Sequence, residues 1–380
     1  MSERPLYLDH NATTPLLPAV LDAMLPWLRE GFGNPSSDHV YGRRARDAVE
    51  DARARVAGLL GCAPAEVVFT SGGTESNNLA IRGTALARPE RRGLVTSVVE
   101  HPATLRPVEL LASRGWRVRW LPVDGAGQVA EGDLEAVPWM QVSLATVMLA
   151  NNETGAVQPV AALARRARAH GALVHTDAAQ AVGRIPVDVD ALGVDLLTVA
   201  GHKLYAPKGV GALYVRTGSP LAPMLLGGGQ ERGVRPGTEN VASIVGLGAA
   251  CAIAATDLEA EGQRQRALRD ILHARLAAAI PGLALNGPAE ARLPNTLNLR
   301  FPGVNGRALL ARASGLVAST GAACHAEGEQ ASAVIRAMGV PEAEALGSVR
   351  LSLGRGTREA QVTQAAEQLI ASWTGLTAGK

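Results

Sequence analysis

The strongest constraint on the fold is a regular alternation between short β-branched runs and longer stretches with helical periodicity. Parallel strands need a long crossover connection, usually a helix, so this alternation predicts an α/β fold with a mostly parallel central sheet. The predicted strands are Val67–Thr70, Leu94–Val98, Val142–Leu149, Ala172–Thr176, Leu196–Val199 and Gly211–Val215. The predicted helices are Ala45–Leu60, Glu75–Leu86, Val160–His170 and Glu259–Ala279.

The rhythm of the sequence changes after about residue 255. A long charged helix there leads into two further predicted strands, Thr296–Arg300 and Ser348–Ser352. This change indicates a second, smaller α+β domain at the C-terminal end of the chain. We expect a large domain over residues 15–255 and a small domain built from residues 1–14 and 256–380, which a chain of 380 residues is long enough to support.

The composition excludes several classes of protein. The chain is 47% hydrophobic and 19% charged, as in ordinary globular proteins, and its net charge of +2 comes without a basic block for nucleic acid or an anionic membrane. The longest apolar run, near Val245–Ala255, is too short to span a bilayer, and the first residues lack the apolar stretch of a signal peptide. Three scattered cysteines predict no disulfide framework. We expect a cytoplasmic protein without nucleic-acid or membrane partners.

Lysine is unusually scarce in this chain. Of 37 cationic residues only Lys203, Lys208 and Lys380 are lysines. Arginine supplies positive charge elsewhere, so a retained lysine marks a position where a neutral amine is needed, for instance to form an imine. Drift in base composition explains the same scarcity equally well when this feature is taken alone.

Polar residues collect at the ends of five successive predicted strands. Open α/β sheets bind ligands outside the carboxyl ends of their strands, so these segments are expected to meet at one site. An ordinary polar turn accounts for any single segment, but not easily for five in succession. The segments are Ser71–Asn77, Glu100–His101, Asn151–Glu153, Asp177–Gln180 and Gly201–Lys203.

The first of these segments has the features of a phosphate site. Gly72, Gly73 and Thr74 open a helix whose first backbone N–H groups are free to bind an anion. Simple helix capping by Ser71 or Thr74 is the alternative. The segment lacks both the Walker lysine and the third glycine of a dinucleotide fingerprint, so a small phosphate handle suits it better than a nucleotide.

Three residues of the other segments suggest a pyridoxal site. Asp177 ends an apolar strand, where a carboxylate needs a cation such as a protonated pyridine nitrogen. Lys203 follows the next strand and can form an imine, and His101 can lie over a ring and move protons. Taken as isolated residues, His175 and His202 are more often structural.

The three cysteines differ in their surroundings. Cys62 and Cys251 lie in Ala-rich helical stretches and are expected to be small core residues. Cys324 lies among small and polar residues, and His325 beside it can support a thiolate. A metal site on Cys324 and His325 is an alternative, although no second ligand cluster accompanies it.

An ordered set of motifs resembles the cysteine desulfurase and selenocysteine lyase family over essentially the whole chain. Each motif is short and weakly specific, whereas the complete set in this order is very specific. The motifs are Tyr7–Thr14, Gly33–Ser37, Thr70–Asn77, Asn151–Gly155, His175–Gln180, Gly201–Lys203, Arg235–Asn240, Cys324 and Ser348–Gly354.

The resemblance implies a fold-type-I pyridoxal phosphate enzyme and a homodimer with shared active sites. Lys203 would carry pyridoxal phosphate as an imine, Asp177 would pair with the pyridine nitrogen, and His101 would stack on the ring. Cys324 would take the substrate sulfur as a persulfide and leave alanine. The remaining residues would bind the ring hydroxyl (Gln180, Asn152), the phosphate (Gly73, Thr74, His202 and Thr238 of the partner subunit) and the substrate carboxylate (Asn34, Arg350).

Two positions depart from the pattern of the family. Ala200 stands where many desulfurases have a serine phosphate ligand, so the phosphate site is expected to lack a donor or to be completed differently. The loop Ala322-Ala323-Cys324-His325 resembles selenocysteine lyases more than the desulfurases of iron–sulfur assembly. This leaves open whether the substrate is L-cysteine or L-selenocysteine.

The functional alternatives differ in which residues they use. A different pyridoxal lyase or an aminotransferase would have no use for Cys324, and a non-enzymatic sulfur-relay scaffold would not need Lys203, Asp177 and His101. The joint presence of both sets predicts a cysteine desulfurase, with a selenocysteine lyase as the alternative. A sulfur-acceptor protein is an expected further partner.

Overall fold

The computed structural model describes residues 5–320 and 330–378. Their strands, in chain order, are β1 (Leu6–Tyr7), β2 (Val67–Thr70), β3 (Gly93–Ser97), β4 (Arg117–Leu121), β5 (Val142–Thr146), β6 (Leu173–Asp177), β7 (Leu196–Ala200), β8 (Gly211–Val215), β9 (Ala284–Leu285), β10 (Thr296–Arg300), β11 (Leu316–Val317) and β12 (Ser348–Ser352).

The α-helices lie between and around these strands. They are α1 (Pro18–Arg29), α2 (Val40–Leu60), α3 (Gly73–Asn78), α4 (Thr84–Ala87), α5 (Pro102–Ser113), α6 (Val160–Arg168), α7 (Val189–Leu192), α8 (Val241–Ala279), α9 (Gly306–Arg312), α10 (Ala333–Ala337), α11 (Glu342–Ala345) and α12 (Glu359–Thr377). A π-helical segment, Leu79–Gly83, joins α3 to α4, so the predicted helix Glu75–Leu86 is one continuous element with a wide turn in its middle.

A seven-stranded sheet forms the centre of the described chain, in the order β2-β8-β7-β6-β5-β3-β4. The strands from β7 to β4 pair in parallel, whereas β8 pairs antiparallel with both β7 and β2. The mostly parallel α/β fold predicted from the sequence is therefore confirmed. The predictions missed β4, an edge strand in which Arg117 and Arg119 alternate with Val118 and Trp120.

Both faces of this sheet are buried beneath helices. Neighbouring residues of a strand point to opposite faces, and accordingly Val67 and Phe69 belong to one hydrophobic cluster while Val68 between them belongs to another. The same division separates Leu197 from Leu196 on β7. Burial on both faces explains why these strands are continuous apolar runs.

A separate hydrophobic core surrounds a three-stranded antiparallel sheet in the C-terminal part of the chain, with the strand order β12-β10-β9. It includes Leu6 and Leu8 from the N-terminal segment, where β1 pairs in parallel with β11. Helix α8 supplies residues to both cores and has a non-helical residue, Asp257, between its halves. The division into residues 15–255 and residues 1–14 with 256–380 stays a prediction, which these two clusters and the kink at Asp257 support.

Among the described helices, α8 is long and apolar enough to cross a membrane by length and composition. However, 56% of its most apolar 18-residue window is already buried against the rest of the chain. Ile244, Leu247 and Cys251 belong to the large core that also contains residues of α2. The apolar half of α8 is therefore a core helix of this fold, and its apolar composition is explained by packing against the rest of the chain.

The crossing of α8 over α2 depends on a glycine. A Cβ atom at Gly248 would lie 2.7 Å from both Cα and Cβ of Ala52, so the two backbones could not keep their separation. We expect Gly248→Ala to destabilise the protein by about 1–3 kcal/mol through overpacking. Gly262→Ala on the same helix, where the nearest atom is 3.6 Å away, is the matched control and should be neutral or stabilising. Urea unfolding midpoints measure the difference, and equal midpoints would contradict this account.

Candidate active site

A cavity of about 290 Å³ opens at the edge of the large sheet where the parallel strands end. The segments after β2, β3, β5, β6 and β7 all contribute to its lining, as the strand-end pattern predicts. Nine of the residues singled out in the sequence meet there: Gly73, Thr74, His101, Asn152, Asp177, Gln180, His202, Lys203 and Arg350.

The amine of Lys203 lies in this cavity directly after β7. Its Nζ donates hydrogen bonds to the carbonyl oxygens of Asn11 at 2.5 Å and of Ala12 at 2.8 Å. Burial, followed by the positive charges of Arg184 and Arg350, lowers the pKa of Lys203 to about 8. The side chain can therefore be a neutral, nucleophilic amine near neutral pH, which an arginine at this position could not be.

The carboxylate of Asp177 is held at the end of β6 with a defined orientation. It accepts hydrogen bonds from Nδ2 of Asn77 at 2.6 Å and from the backbone N–H of Ala179 at 3.0 Å. A buried carboxylate with only neutral donors is suited to a cationic partner in the cavity. Asn77 lay within a sequence motif, but its role in holding Asp177 had no sequence signal.

The ring of His101 caps α5 and faces the same cavity. Its Nδ1 accepts the backbone N–H of Ala103 at 3.1 Å, which leaves Nε2 as the nitrogen that can exchange a proton with a ligand. Burial lowers the pKa of His101 below its usual value, with the Asp177 carboxylate opposing this shift and Lys203 reinforcing it. A neutral imidazole can therefore both stack on a ring and accept a proton.

A helix N-terminus forms another part of the wall. Gly73 and Thr74 begin α3, the N-cap residue is Gly72, and no described side chain caps the helix there. His202 lines the cavity nearby, with Nδ1 against Oγ1 of Thr13 at 3.1 Å, and its pKa is lowered to about 4 by burial and by Lys203. Backbone N–H groups at a helix start favour an anion such as a phosphate.

Arg350, on β12, brings a guanidinium to the cavity from the smaller sheet. It donates to Oδ1 of Asp9 at 2.6 Å and to the carbonyl of Asn152 at 2.9 Å, while its buried Nε has no partner among the described residues. Asp9 thus orients a cation that can receive a carboxylate. Sequence analysis placed Asp9 in a motif without a role, because its partner lies 341 residues away.

The N-terminal segment closes the cavity, which sequence analysis did not foresee. The carbonyl of Asn11 accepts from Lys203 and from Nε2 of Gln180 at 3.0 Å, while its amide Nδ2 donates to the carbonyl of Asn152 at 3.2 Å and to Thr296 at 2.9 Å. Asn11 therefore ties the cavity to the smaller sheet.

Two buried glutamates next to the cavity lie in the predicted strand-end segments, although the sequence assigned neither of them a role of its own. Glu100 accepts hydrogen bonds from Ser97 at 2.6 Å and from the backbone N–H of Met148, and burial raises its pKa to about 8. Glu153 accepts from Oγ of Ser332 at 2.5 Å, and burial raises its pKa to about 7. Both acids position the segments that carry His101 and Asn152.

Other predicted residues lie elsewhere. Asn34 and Thr238 are exposed, and neither belongs to the lining of this cavity in the described part of the chain. Cys324 and His325 fall within residues 321–329, outside the described residues. No cluster of three or more potential metal ligands occurs in the part of the chain that the structure describes.

The remaining candidate residues are structural. His175 is buried with both ring nitrogens bonded, to Thr146 at 2.8 Å and to Thr198 at 3.0 Å. Cys251 is fully buried and Cys62 packs against the same core, and burial raises the pKa of each thiol to about 12. These cysteines are inert core residues, as their sequence surroundings indicate.

The groups around the cavity fit pyridoxal phosphate. Lys203 offers an amine for the aldehyde, Asp177 a carboxylate for the pyridine nitrogen, and the start of α3 a set of N–H donors for the phosphate. Gly73 leaves room on that side, since a Cβ atom there would lie 3.3 Å from the methyl group of Ala200.

Comparison with known proteins gives one consistent result. Residues 6–364 match the family described as aminotransferase class-V. A cysteine desulfurase of Trichormus azollae is 46% identical over 364 residues, which cover 95% of this chain and 91% of that protein. Among solved structures, a NifS-like protein superposes with a TM-score of 0.91 at 37% identity, covering 97% of this chain and 98% of the other. A structure described as SspA in complex with cysteine superposes with a TM-score of 0.81 at 37% identity, covering 91% and 98%.

Replacing Ala200 with serine is predicted to increase the affinity for pyridoxal phosphate. Ala200 lines the cavity beside Gly73, so a hydroxyl group there would add a donor for a bound phosphate. We expect Ala200→Ser to lower the dissociation constant of pyridoxal phosphate about 5- to 10-fold, the worth of one hydrogen bond to an anion. Fluorescence titration of the cofactor-free chain with pyridoxal phosphate measures this dissociation constant. Ala179→Ser, beside Asp177 in the same cavity, is the control, and an equal gain there would contradict the assignment of the phosphate end.

Proposed function

Because the chain belongs to the aminotransferase class-V family, and among its members to the cysteine desulfurases, we propose that it converts L-cysteine to L-alanine and takes up the sulfur as a persulfide on Cys324. The observation that carries this proposal is a single cavity that joins an amine of lowered pKa, an oriented carboxylate and a helix N-terminus. The enzymes of this family use pyridoxal phosphate, and this set of groups fits it.

The proposed cofactor site uses residues from five strand ends. Lys203 would hold the cofactor covalently, Asp177 would pair with its ring nitrogen, and His101 would lie against its ring. Gln180 and Asn152 bind the ring hydroxyl. The phosphate is held by Gly73, Thr74 and His202, together with Thr238 of the partner subunit.

The chemistry that pyridoxal phosphate supplies when bound is withdrawal of electrons from the Cα and Cβ atoms of the amino acid. Asp177 supports this by keeping the ring nitrogen protonated. Lys203, with its pKa near 8, can take and return the proton at Cα, and Nε2 of His101 can hold a second proton beside the ring.

Arg350 orients the substrate. Asp9 and the carbonyl of Asn152 fix its guanidinium, and the remaining N–H groups can bind the substrate carboxylate together with Asn34. Anchoring the carboxylate determines which of the groups on Cα faces Lys203.

The atoms and electrons of the proposed sulfur transfer balance with a single cysteine of the enzyme, Cys324. The thiolate of Cys324 attacks the sulfur of the bound substrate, an S–S bond forms, and the C–S bond breaks with its electron pair moving to Cβ. Cβ then takes up a proton and alanine leaves. The net change is L-cysteine plus the Cys324 thiol giving L-alanine plus a persulfide, without an external oxidant or reductant.

Sulfur is favoured over selenium as the element removed. The Trichormus azollae relative is a cysteine desulfurase, and the related structure of SspA is described as a complex with cysteine. The loop around Cys324, which resembled selenocysteine lyases, is not supported as an indicator of selenium specificity. Transfer to a sulfur-acceptor protein and a cytoplasmic location remain proposals, the second supported by the free Cys62 and Cys251 of the described chain.

Replacing Cys324 tests the function. We expect Cys324→Ala to reduce alanine release from L-cysteine by at least about 100-fold, because the sulfur then has no nucleophile to receive it. In the wild-type chain, mass spectrometry after brief exposure to L-cysteine should show one added sulfur on the peptide that contains Cys324. Cys62→Ala removes a core thiol and is the control, with alanine release close to wild type. Undiminished turnover by the Cys324 variant would refute the proposed sulfur transfer.

We also propose that the protein forms a homodimer in which Asn34 and Thr238 serve the partner's cavity. Apolar side chains are exposed on the connection between α1 and α2, where Phe32 is 81% exposed, and before Gly227, where Leu226 is 90% exposed. Pro35 and Ser36 line one groove together with Gly229–Arg232, so these two regions are neighbours on one face. An apolar face of this kind favours association with a second copy.

A charge on this face should weaken the dimer. We expect Leu226→Asp to shift the sedimentation equilibrium toward monomer and to lower the affinity for pyridoxal phosphate, since Thr238 of the partner subunit would be lost from the site. Met140→Asp is the matched control, because Met140 is 68% exposed but lies elsewhere on the surface. A monomeric wild-type protein that binds the cofactor fully would contradict the shared site.

A further inference from the structure

Arg184 is a cation beneath the cavity floor that lacks a neutralising partner. It lies after β6, seven residues from Asp177, and no described carboxylate lies within 4.0 Å of its guanidinium. Elsewhere in the described chain, well-enclosed arginines such as Arg53 and Arg355 pair with Glu231 and Asp257. A half-buried, unpaired charge is costly, so its position requires a reason.

The partners of Arg184 are uncharged acceptors from three separate segments. Nη1 donates to the side-chain Oε1 of Gln180 and to the carbonyl of Gln180 at 3.2 Å. Nη2 donates to the carbonyl of His10 at 3.0 Å and to the carbonyl of Lys203 at 3.4 Å. The guanidinium therefore ties the segment after β6 to the N-terminal segment and to the backbone of Lys203.

These contacts determine which end of the Gln180 amide faces a ligand. An arginine can only donate, so Oε1 of Gln180 must be the atom that points to Arg184. Nε2 then donates one hydrogen to the carbonyl of Asn11 at 3.0 Å and keeps a second. Because Gln180 lines the cavity, the second N–H is available to an oxygen acceptor there.

The same charge acts on Lys203. The charged groups that face the Lys203 amine are Arg184, Arg350, Asp177 and Asp9, with His101 and His202 as titratable neighbours. Arg350 is paired with Asp9 at 2.6 Å, so their effects largely offset each other. Asp177 favours the protonated amine, and Arg184 is the cation left to oppose it.

We propose that Arg184 is a positioning residue of the reaction, which presents the Gln180 amide to the cavity as a hydrogen-bond donor and holds an unneutralised positive charge behind Lys203. The proposal rests on the proposed function, in which Lys203 and Gln180 contact the cofactor. Arg184 itself acts through these two residues. Its charge favours the neutral amine that must capture the cofactor aldehyde.

The scarcity of lysine makes the amine directly observable. The chain of 380 residues contains three lysines, so NMR of the protein labelled with ¹⁵N or ¹³C in the lysine side chains gives a simple spectrum. Lys203→Arg assigns one resonance. In the cofactor-free wild type we expect Lys203 to titrate at about pH 8. In Arg184→Met the midpoint should rise by about one pH unit, the effect of one nearby charge in a partly buried site.

Matched variants separate charge from packing. Arg184→Lys keeps the charge and should leave the midpoint close to that of the wild type, although it cannot make all the contacts to Gln180. Arg184→Gln removes the charge but can still bond to a carbonyl, and it replaces the methionine variant if that protein does not fold. Arg216→Met removes a cation paired with Asp190 outside the cavity lining and should have no effect. The resonance of exposed Lys208 is the internal reference.

The holoenzyme gives a second measurement. The pH at which the absorbance of bound pyridoxal phosphate changes should rise in Arg184→Met in the same direction as the amine of the cofactor-free chain. An upward shift of about half a unit or more in the uncharged variants supports the proposal. A smaller or downward shift, or an equal shift in Arg184→Lys, overturns it.

These outcomes also distinguish this proposal from the proposed function. If borohydride reduction shows that wild-type Lys203 captures the cofactor while Arg184→Met titrates as the wild type, only the role of Arg184 fails. If the wild-type protein captures no cofactor on Lys203, the proposed function fails instead.

Discussion

The main-chain carbonyl of Asn11 is the acceptor on which the arrangement of the cavity depends. It receives hydrogen bonds from both the amine of Lys203 and the amide of Gln180, two groups carried by different strands of the large sheet. The side chain of the same residue bonds to Thr296 and Asn295, which belong to the smaller sheet and its approach. One residue therefore links the two sheets and helps to orient the groups that lie between them.

The charged groups near Asn11 are held in position by hydrogen bonds with neighbouring residues. Asp9 holds Arg350 in place for a carboxylate, and Asn77 and Ala179 hold Asp177 for a cation. Burial and the charge of Arg184 lower the pKa of Lys203, so that its amine is available near neutral pH. The cavity thus presents a cation, an anion and a nucleophile within a small volume, which is the combination that a zwitterionic substrate and an anionic cofactor require.

Local sequence patterns determined the large-scale fold and most of the cavity lining. Strands that are buried on both faces of a sheet are continuous apolar runs. For that reason β2, β6, β7 and β8 could be located to within about one residue. Because parallel strands end at one edge, the polar residues after them had to meet, and Lys203, Asp177 and His101 do so. The scarce lysine and the isolated strand-end carboxylate were signals that needed no knowledge of distant contacts.

The tertiary structure alone decided what holds those residues in their orientations. Asn77, Asp9, Asn11 and Arg184 act through contacts to groups that are remote in the chain, and no local periodicity or spacing encodes such contacts. The edge strand β4 and the kinked helix α8 were likewise set by packing, since β4 exposes its arginines and α8 supplies residues to both cores. The sequence by itself determined which chemical groups reach the end of each strand, because that follows from local patterns. The charge states and directions of those groups followed only from folding, because burial and long-range hydrogen bonds determine them.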